Sequence, residues 1–447
     1  MPDRPAEIEQ TGIEHIPEEA RHGSPGRVFT LWFAANLTVA DYVVGVLSVQ
    51  VFGLTVAQAL PVLLVGNIAG GLVLGLSASM GPRLGYPQML SSRSSFGRKG
   101  NYPLGALNWI STVGWFTVNT ILGVAALQAV YPGLNFYLAA TVLVAIQVVV
   151  AVYGHDFIHL FEKVMSIVLG VLFLGVFVLT LPRLGDAFSF VPPGGSPGFP
   201  ALGAVGIVFA ASFSYIMSWS PYASDYSRYL PSSSSARKVA LYALAGGAGA
   251  SFAIETVGAL VGSLTNPTVP FFQALYGFSG SFGLFAIAGI LLGAVAANAL
   301  NIYTNALSAL VVDIKARRWV AVVAGGVVGL ALSMVGQVNF VTNFENFLLA
   351  LDYWITPWLA IVLVDYFVFH RTTPESSANP LSWDWKALAS YSISVLVSVP
   401  FMVPAVNLGY PFGSFAYVFG GADFSYFVSF GVAAALTLLI RRQALRP

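Results

Sequence analysis

Trp115 and Asn119 stand four residues apart in VGWFTVNTI, so on a helix they share one face. An aromatic plate beside an amide suits a flat heterocycle: the ring stacks, and the amide pairs with adjacent donors and acceptors. Base stacking on an aromatic side chain is worth roughly 1–3 kcal/mol in nucleic-acid binders, and an Asn amide can pair with a base edge through two bonds. Trp is also common at lipid–water interfaces, but Trp115 lies well inside its apolar segment, too deep for that belt. A second aromatic, Trp219, sits between Ser218 and Ser220 and ahead of Pro221, in SYIMSWSPYASDYSRYLP. Proline lacks a backbone N–H and disturbs the turn before it. Irregular backbone at membrane depth is tolerated only where it is buried in protein or lines a watery cavity. Residues 214–231 therefore read as a broken helix, a device with which secondary transporters hold cargo.

Asn298, Asn301 and Asn305 recur at i, i+3 and i+7 in NALNIYTNALS, with Thr304 and Ser308 near the edge of the stripe. Desolvating three amides costs several kcal/mol unless each finds a partner. The stripe either faces a cavity or bonds neighbouring helices, and three amides in one row favour the cavity. Asn36 and Asp41 interrupt the apolar run LWFAANLTVADYVVG; Asn36 reads as a second helix break or as a bond to a neighbouring helix. Asp41, Glu255 and Asp352 all lie in apolar segments. Ionisable groups at such depth are expensive and usually functional. An acid there is a candidate proton carrier, with a structural, hydrogen-bonded carboxyl as the alternative. Asp225, beside Arg228, reads as an anchor at the cytosolic end.

The elements that position these groups follow from composition. Of 447 residues, 57% are hydrophobic and 9% charged, with a mean hydropathy of +0.77; soluble domains carry about 25% charged residues. Lipid must be the solvent and partner of most of this surface. A net charge of +1 gives no sign of nucleic-acid binding, no obligate protein partner is evident, and the lack of cysteine excludes disulfides and thiolate metal sites. A span needs about 20 apolar residues. Twelve candidates lie near 28–52, 56–80, 103–130, 137–153, 161–182, 201–220, 239–262, 281–312, 319–338, 343–368, 387–405 and 424–440. With the acid-rich residues 1–27 as a cytosolic tail, every one of the 20 Lys and Arg residues except Arg183 falls inside, as the positive-inside rule requires. Both termini are then cytoplasmic, in a multi-pass protein of the cell membrane. A Pro- and Gly-rich outer linker, 183–200, separates five spans (28–182) from five more (201–370), and residues 371–447 hold two extra helices. Five is odd, so the second set is inverted relative to the first. The histidines fall in the tail or in predicted cytosolic loops; His155 and His159 flank Asp156, but with no further ligand no metal site is expected. An intramembrane enzyme would need a nucleophile–base pair or metal ligands, and a channel would need a continuous polar pore.

GIEHIPEEAR (12–21), GPRLGYPQMLSSRSSFG (81–97), VGWF (113–116), SWSPYASDYSRYLP (218–231) and NALNIYTNALS (298–308) together carry a resemblance. The chain resembles the nucleobase:cation symporter-1 family, in particular its purine–cytosine permease branch, from the tail to the twelfth segment. The resemblance implies an all-α, LeuT-like fold of about 12 helices: two inverted five-helix repeats and two C-terminal helices. It implies that Trp115 stacks on a base, that Asn119 bonds its edge, and that Ser218, Trp219 and Ser220 supply the opposing face. Asn298 and Asn301 would reach the base or the coupling site, and Asn36 would bridge to it. Asn298, Asp41, Glu255 and Asp352 are the candidates for cation coupling. Sodium-coupled members place adjacent hydroxyls on the eighth helix; this chain has Ala297 and Asn298 at the apparent match, which favours a proton over sodium. The expected function is import of a purine or cytosine-like base by cation symport with alternating access. Allantoin, a hydantoin or a pyridoxine-like vitamin fits the same pocket. No cofactor is expected beyond the co-transported H⁺, or Na⁺.

Overall fold

A computed structural model of the chain describes residues 9, 11–192, 201–370, 382–404 and 408–444. Parts of the two predicted linkers, 193–200 and 371–381, lie outside the described residues. All regular structure among the described residues is helical. The main helices are α1 (Gly26–Asn36), α2 (Val39–Gln50), α3 (Val56–Leu84), α4 (Tyr102–Val130), α5 (Phe136–Tyr153), α6 (His155–Thr180), α7 (Leu202–Met217) and α8 (Ala223–Ser227). They continue with α9 (Ala236–Leu264), α10 (Phe271–Ser279), α11 (Gly283–Val311), α12 (Arg318–Gly336), α13 (Phe340–Phe367), α14 (Trp385–Ser398) and α15 (Ser425–Ala444). Ten helices or helix runs are long and apolar enough to cross a membrane, and the bent pair α1–α2 makes an eleventh. The segment expected at 387–405 forms only the 14-residue α14 and a 3-10 turn to Phe401, short of a full span by length.

Both expected helix breaks are present. Between α1 and α2 the axis bends by 56°. Leu37 leaves the helical region (φ −84°, ψ 65°), and Thr38 is extended, its hydroxyl accepting from the Asp41 amide at 3.4 Å. A β-branched hydroxyl residue suits such a helix start, because its oxygen satisfies an orphan N–H. The second break separates α7 from α8. The intervening 3-10 turn, Ser220–Tyr222, contains Pro221, which has no N–H to continue the ladder.

One boundary differs from expectation. Helix α6 begins at His155, not near 161, because Gly154 (φ 92°, ψ −155°) ends α5 and the next helix starts at the following residue. His155, His159 and Glu162 therefore lie on a helix and are buried. The N-terminal segment is more than a polar tail: from Glu9 onward it is docked on the bundle. The Ile16 amide donates to the Gly85 carbonyl at 3.0 Å and the His22 amide to the Tyr229 carbonyl at 2.6 Å. The fully buried Arg228 donates to the Gly12 carbonyl at 2.9 Å. Glu9 accepts from Tyr303 at 3.1 Å and also from Tyr229. His22 and Asp156 meet at 2.9 Å, and His155 stacks on Tyr229 with centroids 3.8 Å apart. The third member of the His155–Asp156 cluster thus comes from the tail, which spacing along one segment could not reveal.

Close packing sets the register of α9 on α2. A Cβ on Gly45 would fall on the Glu255 carbonyl, and one on Gly258 would fall on the Tyr42 carbonyl. These two glycines let the backbones approach, the usual reason for small residues between membrane helices. Gly45→Val is expected to cost at least ~1–3 kcal/mol through overpacking, read as a lower Tm in detergent. At the far end of α11, Asp313 accepts from Arg93 at 3.1 Å, from Arg98 at 2.9 Å and from Tyr102. Burial alone would raise its carboxyl, but the bonds from Tyr102, Arg98 and Arg93 hold it below the usual carboxylate range. A depressed value means the clamp stabilises above the ordinary carboxylate range and is lost as pH falls through the folded value. Asp313→Asn should therefore lower Tm near neutrality, and its gap to the wild type should narrow in acid.

Candidate functional site

The two helix breaks face each other, joined by side chains. The Trp219 indole N–H donates to Asn36 Oδ1 at 2.9 Å. Trp219 also packs against Trp32 (5.4 Å) and Tyr222 (5.2 Å). Tyr215, one turn before Trp219, meets the Thr38 hydroxyl at 2.5 Å and the Trp115 ring at 4.9 Å. The structure thus brings Trp115, Trp219 and Asn36 into one neighbourhood around Tyr215 and Thr38. Phe347 and Phe344 complete the surroundings of Trp115, at 5.2 and 6.3 Å. These three rings cross Trp115 at 75–79°. Trp115 therefore keeps a flat face on which no other described ring is stacked.

The asparagine stripe is not an open polar wall. Asn298 Nδ2 donates to the Phe116 carbonyl (3.0 Å), Gln147 Oε1 (3.1 Å) and Thr120 Oγ1 (3.3 Å). Its Oδ1 accepts from Asn119 (3.1 Å) and Asn301 (3.3 Å). Asn305 donates to the Trp109 carbonyl and to Thr112, and Asn108 donates to Ser308. These bonds zip α11 to α4, so the interhelical alternative describes Asn298 and Asn305. Asn301 turns the other way: its Oδ1 accepts from Tyr222 at 3.1 Å, which links α11 to the broken helix. Ser218 is spent on its own turn, donating to the Tyr215 carbonyl at 2.7 Å. Buried polar atoms without a partner among the described residues include Trp32 Nε1 beside Trp219 and, along the stripe, Asn108 Oδ1, Asn305 Oδ1 and Gln147 Nε2; they also include Trp115 Nε1, Asn119 Oδ1 and Ser220 Oγ. The last three supply a donor, an acceptor and a hydroxyl, the set a heterocycle's edge requires.

The three acids separate into two places. Ser251 and Glu255 lie one turn apart on α9 and face α2. Ser251 donates to Asp41 Oδ2 at 2.8 Å and lies 3.4 Å from Asn36 Oδ1. Asn67 of α3 donates to Glu255 Oε2. Asp41 and Glu255 are neighbours and are fully buried. Asp352 belongs elsewhere, among Ser214, Asp423 and Tyr426. Asp225 is an anchor, accepting from the Gln88 amide (2.9 Å) and from Thr304 (2.8 Å).

Several contributors were not singled out from sequence. Ser251 and Asn67 carry the acid pair, and Gln147, Thr120 and Tyr222 satisfy the asparagines. Glu162, inside the segment expected at 161–182, is a further buried acid that was not singled out. Lone amides in apolar runs, Asn67 in LLVGNIAGG and Gln147 in VAIQVVV, were the available signal. A cavity of ≈ 370 Å³ lined by Leu122, Ala125, Phe272 and Phe340 lies beyond Trp115 toward the C-terminal end of α4.

A polytopic helical bundle whose interrupted helices meet around buried aromatics is a secondary transporter, a permease and not an enzyme. The profile of the family described as "Permease for cytosine/purines, uracil, thiamine, allantoin" matches residues 15–429, and the chain belongs to that family. It is 28% identical over 469 residues to the putative purine-cytosine permease YxlA of Bacillus subtilis, covering 98% of this chain and 97% of that one. It is 28% identical to the purine-cytosine permease fcyB of Emericella nidulans, covering 97% and 88%. Among solved structures, Mhp1, a nucleobase-cation-symport-1 family transporter closed on bromovinylhydantoin, superposes with a TM-score of 0.78 at 20% identity, over 98% of this chain and 95% of that one.

Asn298→Ala would leave Gln147, Asn119 and Asn301 short of partners. Such loss typically costs roughly 1–3 kcal/mol per unsatisfied group, so the variant should melt lower than the wild type. An unchanged Tm would remove Asn298 from the packing of α4 on α11.

Proposed function

We propose that this permease imports a purine or cytosine-like nucleobase in symport with a proton, by alternating access. The observation that carries the reading is that two buried tryptophans, Trp115 against Tyr215 and Trp219 on Asn36, flank the helix breaks, with unpartnered polar atoms on Trp115, Asn119 and Ser220. Trp115 offers the stacking face, Asn119 Oδ1 and Ser220 Oγ the edge contacts, and Trp219 the opposing aromatic. Asn36 holds Trp219 from the first break. Asn301 ties the eighth span to the same unit through Tyr222 and takes no more than an indirect part. The relatives' names and the hydantoin in Mhp1 support a flat nitrogen heterocycle.

Two features support a proton over sodium. Ala297 offers no side-chain ligand, and Asn298 is already committed at both its oxygen and its nitrogen. A hard cation wants several oxygen ligands. The Asp41–Glu255 pair is a buried carboxyl site beside the first helix break; Asp352 lies apart from it and is not needed for coupling. The five spans of 28–182 and the five of 201–370 form two inverted halves, in the cell membrane with both termini cytoplasmic. Inside the halves, the substrate and the lipid are the partners, and no cofactor or protein partner is required.

Uptake of labelled cytosine, adenine and hypoxanthine into proteoliposomes tests this. Accumulation should follow an imposed inward proton gradient without sodium. Uptake driven by sodium and indifferent to the proton gradient would overturn proton coupling. Accumulation of allantoin or pyridoxine in place of all three bases would overturn the substrate. Trp115→Ala should weaken binding by ~1–3 kcal/mol, or roughly 5- to 150-fold in Kd, in protein that still folds but melts lower, because a buried Trp is truncated.

A further inference from the structure

One hydroxyl lies between the acid pair and the aromatic site. Ser251 Oγ is 2.8 Å from Asp41 Oδ2 and 3.4 Å from Asn36 Oδ1. It is fully buried and carries a single hydrogen, so it can donate to only one of these acceptors at a time. Asn36 Oδ1 is the same atom that accepts from the Trp219 indole. A continuous chain therefore runs from Trp219 through Asn36 and Ser251 to Asp41, joining α7, α1, α9 and α2.

We propose that Ser251 is a hydrogen-bond switch that reports the proton on Asp41 to the substrate-binding tryptophan. When Asp41 is ionised, Ser251 donates to Asp41 Oδ2, as in this structure. Asn36 Oδ1 then keeps only the Trp219 donor. When a proton binds Asp41, the new O–H donates to Ser251 Oγ, whose own hydrogen turns to Asn36 Oδ1. Asn36 then accepts two hydrogen bonds, and its carboxamide is held in the orientation that fixes Trp219 against the substrate. When the proton leaves, the hydroxyl turns back and that restraint is lost. The proton only binds and departs; no covalent bond other than the O–H is made or broken. Because Ser251 and Asp41 are on different helices, the switch also fastens α9 to α2 at the bend.

The surroundings of Asp41 fit a single exchangeable proton. Glu255 faces it from α9 and Tyr215 from α7, and α3 adds the Asn67 amide on Glu255. Helices α4 and α11 also touch α2. Neither supplies an ionisable group bonded to Asp41 among the described residues. Asp41 Oδ1 and Glu255 Oε1 each lack a partner among the described residues, and no Lys or Arg there bonds to either acid. Two buried carboxyls without a cation cannot both stay ionised cheaply. Glu255 then acts as the fixed neighbour whose charge or proton sets how readily Asp41 is protonated, and Ser251 is a positioning residue.

This inference rests on the proton-symport reading, and the test separates the two. Binding of tritiated cytosine, adenine and hypoxanthine is measured between about pH 5.5 and about pH 8.5, for wild type, Ser251→Ala and Ser251→Thr. Linked sites typically couple by roughly 5- to 150-fold. Wild-type affinity should be higher in acid by an amount in that range. Ser251→Ala should flatten the profile to less than about twofold, and Ser251→Thr, which keeps the hydroxyl, should restore it. A wild-type pH profile in Ser251→Ala would overturn the switch while leaving proton symport standing. Wild-type binding and uptake indifferent to protons would overturn the symport reading and the switch together. If Ser251→Ala does not fold, Asp41→Asn, of the same size and permanently neutral, should give the same flat profile; a retained wild-type slope would again overturn the switch.

Discussion

The hydrogen bond from the Trp219 indole to Asn36, at 2.9 Å, ties together the two places where this protein gives up helical regularity. Each break leaves backbone groups unsatisfied at membrane depth, and such groups are tolerated only when buried by protein. The breaks therefore have to cover each other. Thr38 caps one side and meets Tyr215 on the other, while Ser218 returns to its own turn. The aromatic cage exists because these two irregular segments must share a dry, polar-lined space. Asn36 is central because its Oδ1 meets both the aromatic side, through Trp219, and the acid side, through Ser251.

Around this centre the helices do two different jobs. The α4–α11 seam is zipped by amides, with Asn298 at its middle, and this makes a firm wall behind Trp115. The α2–α9 seam is closed by glycines and holds carboxyls in place of amides. A wall of amides carries no titratable group, whereas a pair of acids beside a hydroxyl does. The same chain thus separates rigidity from response by the chemistry of its buried polar groups. The N-terminal segment docks beside Tyr229 and the Tyr303 end of α11 through Glu9 and Arg228.

Much of this was legible in the sequence. Apolar run lengths and the placement of Lys and Arg gave the spans, because membrane thickness and charge bias act locally on the chain. Both breaks were readable from Asn36–Thr38 and Ser218–Pro221, since a polar run or a proline inside an apolar helix has few other uses. Trp115 and Asn119 were readable from their shared helix face. The partners of the asparagines were not, because interhelical bonds depend on rotation about axes that periodicity does not set. Asn298 and Asn305 accordingly bond α4 and not a cavity. Ser251 was invisible for a related reason: serine is ordinary in membrane helices, and its meaning comes only from lying between Asp41 and Asn36. The start of α6 was missed because Gly154 joins two helices without a loop, leaving the polar His155 and Asp156 at a helix N-terminus where a linker was expected.

The central claim is that a flat base lies between Trp115 and Trp219. Cryo-electron microscopy of the protein with saturating adenine, cytosine or hypoxanthine tests it most directly. The expected result is planar density stacked on the Trp115 face with its edge toward Asn119 and Ser220, and with the Trp219–Asn36 bond intact. Density for the base elsewhere, with nothing stacked on Trp115, would contradict it.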